Sequence, residues 1–180
     1  MKLSGSYQIN LEKQKVWDAL NDAEILRRSI PGCESFIKKS DTEFMATATN
    51  KIGPFNASFT GDIQLKAINA PNNYIIEGSG NSPVGFASGK AKVNLEEVKG
   101  GTKLSYEIEA NVGGKIAQIG SRLIDMTAKK MADIFFGKFS ELISKDENLS
   151  RELPDISELS SDSSITNNKK TNPKILIYSA

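Results

Sequence analysis

The stretch that decides the fold is Gly114–Ser144, GKIAQIGSRLIDMTAKKMADIFFGKFSELIS. Its apolar positions Ile116, Ile119, Leu123, Ile124, Met131, Ile134, Phe135, Leu142 and Ile143 recur at three- and four-residue steps, the spacing of one helix face. Read as one helix of about 30 residues, it would span about 45 Å, far more than the mean helix of a globular domain. What precedes it alternates strictly, as half-buried strands do. A long apolar-faced helix laid along a curved antiparallel sheet is suited to enclosing something greasy.

Working outward, the clearest strand follows the Gly53-Pro54 turn, with Phe55, Ala57, Phe59, Gly61, Ile63 and Leu65 on one face and Asn56, Ser58, Thr60, Asp62, Gln64 and Lys66 on the other. A first strand places Leu3, Gly5, Tyr7 and Ile9 inward. Asn10 is the expected N-cap of a short helix holding Val16, Trp17, Ala19 and Leu20, and Asp22 that of a second. After Pro31-Gly32, strands are expected at 34–39, 43–52, 74–80, 87–97 and up to Val112, with Lys99-Gly100-Gly101 as a hairpin turn. The order is α+β: one strand, two short helices, about six strands and a long helix. Trp17 reads as an anchor between the first helix and the sheet.

The chain has 180 residues, enough for one domain and a tail. We place the domain at 1–145. From 146 to 180 Ser, Asp, Glu, Asn, Lys and Thr dominate, so this segment is expected to be a disordered tail ending in a short apolar cluster, Ile175 to Tyr178. Lys plus Arg number 23 against 22 Asp plus Glu, with no basic stripe, which gives no reason to propose nucleic acid. The N-terminus lacks an apolar signal region and no run reaches membrane-span length, so a soluble, cytoplasmic protein is expected.

The chain contains no histidine and one cysteine, Cys33. Ser-His-Asp and Cys-His nucleophilic sites cannot be built, nor the usual zinc sites. Phosphate-loop and dinucleotide fingerprints are missing. No catalytic residue and no metal ligand set is assigned. Carboxylates, tyrosines, lysines and Cys33 are the remaining options, and none forms a motif. Cys33 reads first as a small buried apolar residue and second as a candidate for a cavity mouth or partner contact. Arg122, Asp125 and Lys129 read as solvated pairs at helical spacing.

The inward face is short of volume. Ala46 and Ala48 follow Phe44. Ala57 and Gly61 interrupt Phe59 and Ile63. Gly78 and Gly80 follow Tyr74 and Ile76, while Gly89 and Ala91 precede Val93, and Tyr106 and Ile108 close the set. Glycines alone can let a sheet bend around a helix. The other reading is a retained apolar cavity, lined by these strand residues together with Ile119 and Leu123. An enzyme built on the inward tyrosines Tyr7, Tyr74 and Tyr106, with no inward carboxylate to serve as base, and a ligand-free structural adaptor are the competing classes.

Val16-Trp17-Asp18-Ala19-Leu20-Asn21-Asp22, Ile30-Pro31-Gly32-Cys33-Glu34, Val112 through Ile124, Ala128 through Asp133, and Phe135-Phe136 together resemble the carbon monoxide dehydrogenase G-subunit family over about residues 1–145. The resemblance implies the helix-grip fold of the START-like (SRPBCC), polyketide cyclase-related superfamily: about seven curved antiparallel strands around a long C-terminal helix. It implies an accessory, non-enzymatic role beside a molybdenum hydroxylase of the carbon monoxide dehydrogenase type. It also implies association with membrane recruitment of that enzyme and with respiratory quinone. A quinone or other lipid is therefore the expected occupant, with no covalent or metal cofactor and peripheral contact with the inner face of the membrane. Some family members carry an apolar anchor after a variable linker; this chain has the linker without a membrane-length anchor.

Overall fold

Leu3, Gly5, Tyr7 and Ile9 do share the inward face of the first strand, β1 (Lys2–Ile9). The computed structural model describes the backbone of residues 1–152 and the side chains of residues 1–145. Two short helices follow, α1 (Lys13–Leu20) and α2 (Ala23–Ser29), then β2 (Cys33–Lys38), β3 (Glu43–Ile52), β4 (Phe55–Asn69), β5 (Asn73–Ser82), β6 (Gly85–Val98), β7 (Gly101–Gly113) and, after a short 3-10 turn at Lys115–Ile119, α3 (Ser121–Glu152). The strands form one seven-stranded antiparallel sheet in the order β1-β7-β6-β5-β4-β3-β2. β2 to β7 are a meander of consecutive hairpins, and β1 closes onto β7.

Asp22 caps α2 as expected, its carboxylate accepting from the amides of Glu24 and Ile25 at 2.9 and 3.1 Å. Asn10 does not cap α1. The helix starts three residues later, behind Glu12, whose side chain makes no capping bond. The long C-terminal pattern is also not one helix from Gly114. Gly114 and Gly120 have φ of +80° and +94°, in the region that favours glycine, and they bracket a separate turn. Ile116 and Ile119 therefore lie off the long helix, which runs from Ser121 to Glu152, past the expected end near Ser144. Expectations for residues 153–180, the apolar cluster at 175–178 included, lie outside the described residues.

The core occupies one end of the sheet. Ile9, Tyr74, Val93, Leu95, Leu104 and Tyr106 meet Val16, Trp17 and Leu20 of α1 and Phe136, Phe139 and Ile143 of α3. Trp17 sets its edge on Tyr74 with ring centroids 5.1 Å apart, which gives it the anchoring role read from the sequence. Phe136 and Phe139, absent from the apolar stripe read in the sequence, are buried at the centre of the helix contact, whereas no residue of 121–135 is buried. The helix is thus held by its middle, and its first four turns stand over a less filled part of the sheet.

Candidate functional site

Register explains where the volume is missing. One cross-strand row reads Phe44, Ile63, Gly78, Gly89, Ala110, and the next reads Ala46, Gly61, Gly80, Ala87, Val112. On the other side lie Leu65, Ile76, Ala91 and Ile108, then Tyr74, Val93 and Tyr106. Small residues from five strands thus fall into two neighbouring rows, and bulky ones into the rows that meet α1 and the middle of α3. The outcome is an apolar cleft of about 350 Å3 on the inner face of the sheet.

Of the cavity residues expected from the sequence, Ala46, Ala48, Phe59, Gly61, Ile63, Ile76, Gly78, Ala91 and Ile108 line this cleft. Phe44, Tyr74, Val93 and Tyr106 do not; all four are buried, the last three in the packed rows and Phe44 at the β3 end of the first row, its ring 5.2 Å from that of Phe36. Ile119 and Leu123 lie against the β3–β4 turn, where a Cβ on Gly53 would sit 3.3 and 3.7 Å from them. Gly80, Ala87, Gly89 and Ala110 line the cleft as well. Sequence reasoning misses Ala87 and Ala110, although strand parity alone places them there. None of the lining apolar residues is buried, so the cleft is open to solvent. A larger depression, about 770 Å3, lies on the outer face and is walled by Asp62, Gln64, Glu77, Lys90 and Glu109. Its charged walls suit solvent rather than an apolar guest.

The glycines separate into two kinds. A Cβ on Gly61 would overlap the Ser79 carbonyl, and one on Gly89 the Glu109 carbonyl, so these two permit close strand approach. At Gly78 the nearest atoms to a Cβ are 3.6 and 3.8 Å away, and at Gly80 3.7 Å, which is ordinary contact. Sheet bending accounts for Gly61 and Gly89. It leaves Gly78 and Gly80 unexplained, and those two keep the cleft wide.

At the packed end of the sheet a polar group ties α3 to β1. The Tyr7 hydroxyl donates to Asp133 Oδ1. Tyr7 and Tyr106 stack on Phe136 with centroids 4.4 and 5.5 Å apart. Gly5 leaves room for the Tyr106 hydroxyl, which would lie 2.6 Å from a Cβ there. Asp133 is the carboxylate near the inward tyrosines that strand parity could not reveal, because it arrives from the helix. Lys129, read as a partner of Asp125, lies 4.0 Å from Asp133. Burial raises the Tyr7 phenol well above its ordinary range and Asp133 raises it further; burial does the same for Tyr74, and burial with Asp133 raises Tyr106. All three phenols are thus kept protonated, and Tyr7 is the donor to Asp133. A raised folded-state pKa contributes stability that is complete below the unfolded phenol value near 10 and is lost as pH climbs through the folded value. In a spectrophotometric titration, three of the four tyrosines should therefore resist ionisation past pH about 10, and their phenolate absorbance should rise together with loss of near-ultraviolet circular dichroism. Three early, independent phases would contradict the burial.

Cys33 starts the edge strand β2 and pairs in register with Ala48 of the cleft wall, without itself lining the cleft. Burial raises its thiol pKa, Arg27 opposes that, and the thiol donates to the Ser35 carbonyl at 3.3 Å. Arg27 is already engaged by Glu24 at 2.7 Å. The thiol is thus not activated as a nucleophile.

Comparison with known proteins gives a consistent picture. Residues 5–144 match the family described as the G subunit of carbon monoxide dehydrogenase (CoxG). No curated protein sequence matches the chain. Among solved structures, a conserved protein from Geobacillus kaustophilus is 28% identical with a TM-score of 0.77, covering 81% of this chain and 96% of its own. An uncharacterized protein from Rhizobium leguminosarum, 13% identical, superposes with a TM-score of 0.61 over 81% of this chain and 95% of its own. Ara h 8.0201, 15% identical, does so with 0.57 over 81% and 98%. The last two show the shared helix-grip fold alone.

Proposed function

The chain belongs to the carbon monoxide dehydrogenase G-subunit (CoxG) family, and from that premise we propose that it is a non-enzymatic accessory protein of a molybdenum hydroxylase of the carbon monoxide dehydrogenase type. Its cleft takes up a hydrophobic small molecule, a quinone before other lipids. By carrying that molecule it assists the recruitment of the enzyme to the membrane or to its electron acceptor.

The observation that supports this reading is the spare space at Gly78 and Gly80 in a cleft whose apolar lining is left half-exposed. Water-exposed apolar surface costs about 25 cal/mol per Å2 relative to burial, so a fold that leaves it uncovered binds apolar guests that fit.

Native mass spectrometry and solvent extraction of the purified full chain test the proposal. Co-purified quinone, or saturable uptake of an added short-chain quinone, is expected. Failure to bind any quinone or lipid would overturn the carrier reading and leave a ligand-free adaptor.

A further inference from the structure

The sheet has two free edges, β1 and β2, and they differ. β2 is short, its register shifts between Cys33 and Ser35, and Lys38 pairs with Phe44, which sets a cation on the inner face. These are devices that stop a strand from accepting a neighbour. β1 lacks a bulge, a proline and an inward charge. It pairs with β7 from Lys2 to Ile9 without a shift in register. Met1 and Ala110 exchange backbone bonds of 2.9 and 3.0 Å. By antiparallel alternation Leu3, Gly5, Tyr7 and Ile9 bond toward β7, and Lys2, Ser4, Ser6 and Gln8 turn their amides and carbonyls outward. None of those outward groups has a backbone partner among the described residues. Leu3 and Tyr7, on the inner face of the same edge, stay half-buried.

We propose that Lys174-Ile175-Leu176-Ile177-Tyr178 of the same chain adds to the free edge of β1 as an eighth, antiparallel strand. Ile and Tyr favour a half-buried pleated strand, and Pro173 stands where proline is tolerated, at the strand's start. Ile175 and Ile177 point to one face, Leu176 and Tyr178 to the other. Either parity therefore lays two apolar side chains beside Leu3, Gly5 and Tyr7. The reach agrees. α3 ends at Glu152, about 14 Å past Ile143 at 1.5 Å per residue, and Ile143 shares its cluster with Ile9, the last residue of β1. Residues 153–173 have a root-mean-square reach of about 25 Å, at 5–6 Å times the square root of their number. A linker whose reach matches its span gives the highest effective concentration. The direction agrees as well. α3 starts near the β3–β4 tip, where Leu123 meets Gly53, and runs to the packed end. β1 runs the same way, from beside Ala110 of the cleft to Ile9. A segment that leaves α3 and turns back is thus antiparallel to β1. The pairing requires only the edge and the segment, whatever the cleft holds, and it covers the edge that β1 itself leaves open.

Hydrogen exchange of the full chain, read amide by amide by NMR, tests the proposal. At least two of the outward amides of Lys2, Ser4, Ser6 and Gln8 should exchange about tenfold or more slowly in the wild-type chain than in Ile177→Pro, a 1.4 kcal/mol difference in local opening. Proline at 177 removes a ladder donor and leaves every residue of the domain intact. The amides of residues 175–178 should be protected in turn, and Ser6→Pro, which takes a donor from the open side of β1 alone, should release them. Alternation from the Lys39–Glu43 bond puts the amides of Phe36 and Lys38 on the free side of β2, and these should exchange alike in all three chains. Protection at β1 should not vary with protein concentration. Outward β1 amides that exchange freely in the wild-type chain, or that stay protected in Ile177→Pro, would overturn the proposal. So would protection found at β2 instead, or protection that grows with concentration, the mark of a segment donated by a second copy. Where Ser6→Pro fails to fold, Ile177→Pro decides by itself.

Discussion

Gly61→Ala, which adds one methyl group, is expected to destabilise the protein more than Gly78→Leu, which adds four carbons. The first carbon at position 61 would overlap the backbone carbonyl of Ser79 and crowd the Cα of Gly80 at 2.8 Å. Backbone of a paired strand cannot swing away as a side-chain tip can, so β4 and β5 must separate where Gly61 faces Gly80 in register. Overpacking of this kind, added to broken ladder bonds, costs about 4 kcal/mol or more. That is a large part of the 5–15 kcal/mol that holds a typical domain together. At position 78 the same first carbon finds Asp62 O at 3.6 Å and Ile63 Cγ1 at 3.8 Å, and beyond them the cleft. Gly78→Leu should change stability by no more than about 1 kcal/mol while filling part of the cleft. Uptake of a short-chain quinone should fall at least about tenfold, equivalent to 1.4 kcal/mol. Thermal melts and binding isotherms of the two variants check both halves. A stable Gly61→Ala protein would remove the steric account of the sheet's curvature. Undiminished uptake by Gly78→Leu would place the guest elsewhere.

The contrast also shows how far the sequence could be read. Strict alternation from Phe55 to Lys66 fixes the faces of β4, and each hairpin turn fixes the next strand, so sheet order and register follow with little freedom. The rows of small residues were visible in the same way, which is why nine of the fifteen cavity residues expected from the sequence line the cleft. Phe44, Tyr74, Val93 and Tyr106 face inward too, but parity says only which face a residue takes. It does not say where along the sheet the helices press. α1 and the middle of α3 cover the end that holds Tyr74, Val93 and Tyr106, while Phe44 is buried beside Phe36 of β2, and nothing local to a strand encodes that. The break at Gly120 was hidden for a related reason. Ile116, Ile119 and Leu123 keep helical spacing across it, and only the left-handed φ at Gly114 and Gly120 separates the 3-10 turn from α3. Asp133 likewise joins Tyr7 from 126 positions away, a contact that is a property of the packed helix.

Phe139→Ala should be the other severe change, and it tests whether α3 is gripped by its middle. Phe139 is fully buried, stacks on Phe135 at 5.7 Å and belongs to the cluster that joins α3 to β1, β7 and α1. Truncating a buried phenylalanine costs about 3–5 kcal/mol through lost transfer energy and the cavity left behind. Phe136 and Ile143 cannot fill that cavity without leaving their own sites in the same cluster. Urea unfolding should show the midpoint falling sharply at constant slope. Ile124→Ser, one of the half-exposed residues in the helix's first turns, should cost only about 1 kcal/mol, because no fully buried contact is lost there. Hydrogen exchange gives an independent measure: amides of residues 121–131 should exchange well before those of 136–143, since local opening follows the density of buried contacts. Uniform protection along the helix, or equal losses from the two substitutions, would mean that the first turns are packed as firmly as the middle. The part of the helix nearest the cleft would then be a fixed wall. The expected gradient instead leaves those turns, which carry Leu123 and Met126, free to shift, while Phe139 keeps the helix on the sheet.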